Sequence, residues 1–324
     1  MKTRRLGKTG FEVSEIGLGC WQLGGDFGPL GDETAKEILD AAQDAGITFW
    51  DSADVYGNGL SESRIGAHAK RAGVVVATKL GRSGALYPNH YSKDGLRQSL
   101  LGSAQRLGVA SLDLVQLHCV PGEVLRDGAI FGWMDELAAE GLTRHWGASV
   151  ETIEEGLLCL EQPGCASLQI IFNLFRQDAA EILLPRAAEK DVGIIVRLPL
   201  ASGLLSGKFS KDSVFEPSDH RNYNRDGAAF SVGETFSGIP FDRGVELVQQ
   251  LRGLAPEGLK MSQFALRWIL DHPQVSTVIA GVSKPEQIAD NVAASERKSL
   301  FPALMMQLGE FYRTEVRPDI RGAV

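Results

Sequence analysis

Four residue types that together make a proton-transfer device stand in the first part of the chain. They are Asp51 and Tyr56 in FWDSADVYG, Lys79 in VVVATK and His118 in LDLVQLH. A tyrosine phenol, with a pKa of about 10, is a poor proton donor at neutral pH, and a lysine ammonium beside it favours the phenolate and draws that pKa down. An aspartate paired with the lysine keeps it charged and aimed. A neutral histidine can hydrogen-bond a carbonyl oxygen and orient or polarise it. Such a set suits protonation of an oxygen that becomes an alkoxide, which is carbonyl reduction with a hydride supplied by a cofactor. Singly, each residue has a plainer reading: an inward lysine is ordinarily a salt-bridge partner, and an inward histidine a hydrogen-bonded core residue. Lys79 alone could also form a Schiff base, as in a class I aldolase. The chemistry therefore depends on a fold that gathers the four.

Short β-branched runs alternate with helical stretches along the whole chain. The runs fall at 15–20, 48–52, 74–79, 112–118, 144–149, 167–173, 193–199 and 275–281. Between them lie segments of helical period such as DETAKEILDAAQDAG, where Ala35, Ile38, Leu39 and Ala42 share a face and Gly46 suits the position after the helix. SKDGLRQSLLGSAQRLG and DAAEILLPRAAEKDVG read the same way. Strand–helix alternation implies right-handed βαβ units and a parallel sheet, and eight units in 324 residues predict a (β/α)8 barrel, one domain over 1–324. RRLGKTGFEVSEIG predicts a small hairpin ahead of the first barrel strand. Residues 209–240, between strands seven and eight, carry no helical period; a connection that long is a functional lid or a disordered insert. Active sites of such barrels lie at the C-terminal strand ends, where Asp51, Lys79 and His118 close three successive strands and Tyr56 sits just above.

The cofactor site has to be found elsewhere than in a Rossmann or P-loop motif. GLGCWQ and GNGLSE lack the last glycine of G-x-G-x-x-G, and SGLLSGKF lacks the first glycine and the Ser/Thr of a P-loop. Phosphate sites in these barrels are commonly built by the loops after strands seven and eight. The first is PLASGLLSGK, small residues and hydroxyls ending in Lys208, and the second is GVSKPEQIADN, where a helix opened by Pro285 offers its N-terminus to an anion. Either alone reads equally well as an ordinary Gly/Ser turn.

Bulk properties narrow the classes further. A formal net charge of -8 argues against nucleic acid or an anionic membrane surface as partner, so a small molecule is expected. No apolar run is long enough for a membrane span, and the N-terminus has no apolar h-region. Cys20, Cys119, Cys159 and Cys165 show no zinc spacing, so no metal is expected; they read as reduced thiols of a cytoplasmic protein. Oligomeric state leaves no mark in the sequence.

The order LGKTGFEVSEIGLGCW, FWDSADVYG, VVVATKLG, LDLVQLH, GAS, LQIIFN, PLASGLLSGK, IAGVSKPEQIADN resembles the aldo-keto reductases from about Leu6 to Asn291. The resemblance implies an NADP(H)-dependent oxidoreductase with Asp51, Tyr56, Lys79 and His118 as its catalytic tetrad, NAD(H) being the other possible cofactor. It implies that Ser149 and Gln169 hold the nicotinamide carboxamide. Leu200, Ser202, Gly203 and Lys208 would line the diphosphate and ribose, and Gly281, Ser283, Gln287, Asp290 and Asn291 the adenosine end. Trp21 would wall the substrate pocket, near Phe27 and Tyr87. Histidine at 118 supports a competent reductase, since the related potassium-channel β subunits have another residue there. The chain departs from the family pattern at Val150, where many members have Asn or Arg. It departs again at Arg197, where many have an aromatic residue stacked on the nicotinamide; a guanidinium plane can also stack there. An NAD(P)+-dependent sugar or alcohol dehydrogenase on the same site, or a nicotinamide-sensing module with little turnover, are the alternative readings.

Overall fold

A computed structural model of the chain describes residues 1–68 and 72–324. Eight parallel strands close into a barrel: β3 (Ile16–Gly19), β4 (Phe49–Asp51), β5 (Val75–Leu80), β6 (Leu112–His118), β7 (Thr143–Ser149), β8 (Cys165–Ile171), β9 (Gly193–Arg197) and β10 (Val275–Gly281). Closure is made by β10 against β3, with Val278 opposite Ile16 and Gly281 opposite Gly19. Before the barrel, β1 (Thr3–Arg5) and β2 (Glu12–Ser14) form the antiparallel hairpin expected from the sequence.

The period-2 alternation of the strands sorts their side chains into two cores. Phe49, Ala77, Leu114, Ile195 and Ile279 point inward and meet Leu6 and Val13 from the hairpin, which thus plugs the N-terminal end of the barrel. Trp50, Val115, Leu117, Leu168, Ile170, Val196 and Val278 point outward into the apolar layer beneath the helices. One residue pair further along each strand the inward positions turn polar: Asp51, Lys79, Gln116, Gln169 and Arg197 follow the apolar layer toward the C-terminal mouth. The barrel therefore has a dry floor and a polar top.

The helices begin and end where local chemistry dictates. Asp32–Asp44 buries Ala35, Ile38, Leu39 and Ala42 and stops before Gly46, which adopts a left-handed φ of 77°. Lys93–Leu107 starts on Ser92, whose hydroxyl accepts the Gly95 N–H, and ends at left-handed Gly108. The stretch 178–189 is not one helix. Pro185 has no N–H and is tolerated only in a first turn, so the helix is confined to Leu183–Glu189 and Asp178–Ala180 forms a separate short 3-10 turn. The long 209–240 connection holds only short turns, at His220–Tyr223, Val232–Glu234 and Phe236–Gly238, and is tied across the barrel mouth as a strap. Among the described residues no helix is long and apolar enough to cross a membrane. All four cysteines are free and buried.

Candidate active site

The strands bring the four sequence-selected residues to one place. Lys79, fully buried at the end of β5, directs its Nζ to three oxygens: Asp51 Oδ2 at 2.5 Å, the Ser52 carbonyl at 2.8 Å and Tyr56 OH at 3.2 Å. The other carboxylate oxygen of Asp51 accepts from Gln116 Nε2 at 3.1 Å and Gln169 Nε2 at 2.8 Å. His118 packs edge-on to the Tyr56 ring, centroids 5.9 Å apart, and its Nδ1 has no hydrogen-bond partner among the described residues. Tyr56 is held in its turn by two glycines. Gly57 has a left-handed φ of 56°, and a Cβ there would lie 2.3 Å from the Gly24 carbonyl oxygen, so the Tyr56 turn can rest directly on the turn that follows β3. That second turn carries Trp21, stacked on Tyr56 at 5.7 Å and 20°.

The electrostatics refine the sequence argument in one respect. Burial pushes the Tyr56 phenol up and Asp51 adds to it; Lys79 pulls it down but is outweighed, and the net value is about 12 rather than below the ordinary one. Burial also opposes the Lys79 ammonium, yet Asp51 and Tyr56 offset this and its pKa is raised. Burial, with Arg82, Lys79 and Arg197 nearby, holds His118 well below its ordinary value, so its imidazole is neutral.

Three connected cavities extend from this point. The central one, about 330 Å³, is lined by Tyr56, His118, Gln169, Arg197, Leu200, Ser202, Gly203, Lys208, Gly281, Ser283 and Gln287 among others. It shares Leu200, Ser206, Lys208, Gly281 and Gln287 with an outer cavity of about 720 Å³ that reaches Asp290 and Asn291. On its other side it shares Trp21, Tyr56, His118 and Glu234 with a pocket of about 290 Å³ walled by Tyr87, Tyr223 and Phe230. The result is a trough that meets a small pocket at the tetrad. Every cofactor residue named from the sequence lines the trough except Ser149, which lies behind it and donates to Gln169 Oε1 at 3.4 Å. At the outer end some of them are tied to one another or to neighbours. Gln287 Oε1 accepts from the Ser283 and Lys284 N–H groups at 2.7 and 3.1 Å, and Asp290 pairs with Lys260 at 2.7 Å. Pro285 is the cap that opens Glu286–Glu296.

Several residues in and behind the site escaped the sequence reading. Gln116 was detectable, since it alternates with His118 on β6. Arg252 and Lys260 line the outer cavity beside Lys208, supplying cations whose clustering no local motif signals. Glu234, from the strap, reaches Arg82 Nη1 at 3.1 Å and Arg197 Nη1 at 3.8 Å, while Arg82 also meets Glu151 at 3.4 Å. Arg197 donates to the Val150 carbonyl at 3.2 Å, so the two departures from the family pattern touch each other. Cys119, Glu151 and Glu234 lie within reach of a common point, but Arg82 already pairs with both glutamates and Arg197 with Glu234.

Residues 15–310 match the family model described as Aldo/keto reductase family. The chain belongs to the aldo/keto reductase family. It is similar to the aldo-keto reductase YhdN of Bacillus subtilis, 31% identical over 89% of this chain and 87% of the relative. It is also similar to a probable voltage-gated potassium channel subunit beta of rice, 32% identical over 91% of each. Among solved structures this aldo-keto reductase resembles the glycerol dehydrogenase AKR11B4 of Gluconobacter oxydans, with a TM-score of 0.80 and 26% identity over 100% of this chain and 98% of that one. The holo form of aldo-keto reductase AKR11C1 of Bacillus halodurans matches at a TM-score of 0.75 and 26% identity, over 96% of each chain.

Proposed function

We propose that this aldo-keto reductase is an NADP(H)-dependent oxidoreductase interconverting an aldehyde or ketone with its alcohol, Tyr56 acting as general acid in reduction and base in oxidation. The observation that carries the reading is Lys79 Nζ bridging Asp51 and Tyr56 beside a neutral His118 where the trough meets the pocket. Because Lys79 donates to the phenol oxygen, the phenol keeps its own proton free to face a substrate oxygen. With its pKa at about 12, Tyr56 is protonated at neutral pH, the state a general acid needs. His118 Nδ1 or Nε2 can then orient the carbonyl. Asp51, gripped by two glutamines, keeps the ammonium in place. Lys79 has no lone pair to offer a Schiff base, its N–H groups being committed to three oxygens.

The trough fits an extended dinucleotide: its two cavities join through shared lining residues, and Gly203, Ser206 and Gly281 are among the small residues along it. Gln169, backed by Ser149, would take the carboxamide, Leu200 to Gly203 and Lys208 the diphosphate and ribose, and Gly281 to Asn291 the adenosine. The nicotinamide supplies or accepts the hydride. Lys208, Arg252 and Lys260 about the outer cavity favour a 2′-phosphate, hence NADP(H) over NAD(H). Four buried thiols suit a reducing cytoplasm.

Two neighbouring readings have specific support. The glycerol dehydrogenase likeness favours alcohol oxidation on the same residues, and the likeness to a channel β subunit favours cofactor sensing with little turnover. Absorbance of the reduced nicotinamide, followed with NADPH and then NADH against a generic aldehyde, separates them. Tyr56→Phe should bind cofactor normally and lose turnover by about 10²–10⁴-fold. Tight binding without turnover in wild type would favour sensing, and no binding would sink the proposal.

A further inference from the structure

Arg197 and Glu234 both line the inner trough, 3.8 Å apart, beside Tyr56, His118 and Gln169. Arg197 is buried at the end of β9, its Nε without a partner among the described residues and its Nη2 donating to Val150 O at 3.2 Å. Glu234, also buried, is brought in by the strap and fixed there by its backbone: its carbonyl accepts from Ser202 Oγ at 3.3 Å, and Ser202 Oγ accepts from Phe236 N–H at 3.2 Å. Around the pair stand Arg82, Glu151 and Cys119. Glu234 is the carboxylate of this group that is fully charged at neutral pH: burial opposes the charge, but Arg197 and Arg82 hold its pKa at about 2. Glu151 is instead pushed up to about 7 by burial and by Glu234. On the far side of the trough Lys79 is matched by Asp51.

An oxidised nicotinamide ring carries a positive charge and a reduced one does not. In a buried trough a nearby charge is screened less than in bulk water. A cation at position 197 therefore penalises the oxidised ring alone, and a carboxylate at 234 offsets that penalty. Building on the nicotinamide reading above, we propose that the Arg197–Glu234 pair sets the relative affinity of the site for oxidised and reduced cofactor, with Glu234 making the oxidised form tolerable. The strap thereby contributes a positioning and charge-balancing residue to the redox site, which neither the tetrad nor the diphosphate loops provide.

Isothermal titration of the full-length protein with NADP+ and NADPH separately tests this in wild type, Glu234→Gln and Arg197→Met. Glu234→Gln keeps the side-chain shape and the backbone ties, and should raise the ratio of Kd(oxidised) to Kd(reduced) by about tenfold. Arg197→Met should move the ratio the other way. A strap that merely closes the site would weaken both forms by the same factor, and an unchanged ratio in both variants overturns the proposal while leaving the reductase reading intact. Failure of the wild type to bind either form removes the ground for both. Should Glu234→Gln not fold, the direction of the Arg197→Met shift decides alone.

Discussion

Lys79 holds Asp51 at 2.5 Å and Tyr56 at 3.2 Å, and all three come from one stretch of barrel and its adjoining turn. Glu234 reaches Arg82 at 3.1 Å and Arg197 at 3.8 Å, across contacts that join a strap to the ends of β5 and β9. In the first cluster the cation and its carboxylate both stand on regular strands, and its other two acceptors lie in the turn that follows β4. The second is looser, partly reached by solvent, and depends on an irregular segment for its only fully ionised carboxylate. A rigid scaffold can hold a fixed proton-transfer geometry, whereas a strap can supply a charge and still be free to lift.

The largest expected difference between the two lies in global stability. Lys79→Met leaves Asp51 as a buried carboxylate without its cation and should cost about 3–5 kcal/mol by urea unfolding. Adding Asp51→Asn should recover most of that loss, because both charges then leave the core together. If Lys79→Met unfolds at the wild-type midpoint, the tetrad is not the stiff element described.

The same contrast explains what could be read in advance. The eight strands, the hairpin and the positions of Asp51, Lys79 and His118 follow from β-branched runs and period-2 alternation, which are local properties. The trough residues after β9 and β10 follow from the rule that these loops bind phosphates, aided by the family resemblance. Pro185, which breaks the 178–189 helix, is also a local signal, and it outweighs the apolar period of that stretch. Glu234 was out of reach, because its meeting with Arg82 depends on the path of a segment with no period at all. The direction of the Tyr56 shift was out of reach for another reason: spacing tells which charges are near, but burial decides which effect wins.

A smaller effect should appear when the strap is released. Arg82 pairs with both Glu234 and Glu151, and Arg82→Met leaves the Glu234 carboxylate the longer contacts to Arg197 and to Cys119 Sγ, both at 3.8 Å. A loss of about 1–3 kcal/mol of local closure follows from unpairing the buried carboxylate, enough for roughly tenfold faster tryptic cleavage in the strap. Lys211, Arg221 and Arg225 are the sites to watch, and the global unfolding midpoint should move far less than in Lys79→Met. Were cleavage unchanged, or were both readouts to shift together, the strap would not be a separate unit.

The smallest effect is a pH dependence belonging to the second cluster alone. Glu151 keeps its proton in the folded protein up to about pH 7, driven first by burial and then by Glu234. In the unfolded chain a glutamate loses its proton near its ordinary value of about 4.3. Folding therefore holds a proton between these values, so this stabilising contribution is whole below the unfolded value and is lost as pH rises through the folded one. Glu151→Gln mimics the protonated form at every pH, so its Tm should match wild type at low pH and exceed it by about 2 °C at alkaline pH. Solvent at its side chain, 25% exposed, keeps the effect this small. His118 and His220 give the opposite sign: their lowered pKa values make stability fall as pH drops below the ordinary imidazole range. A loss of stability on the alkaline side that vanishes in Glu151→Gln therefore belongs to the strap cluster, and one that persists assigns the titration to another group.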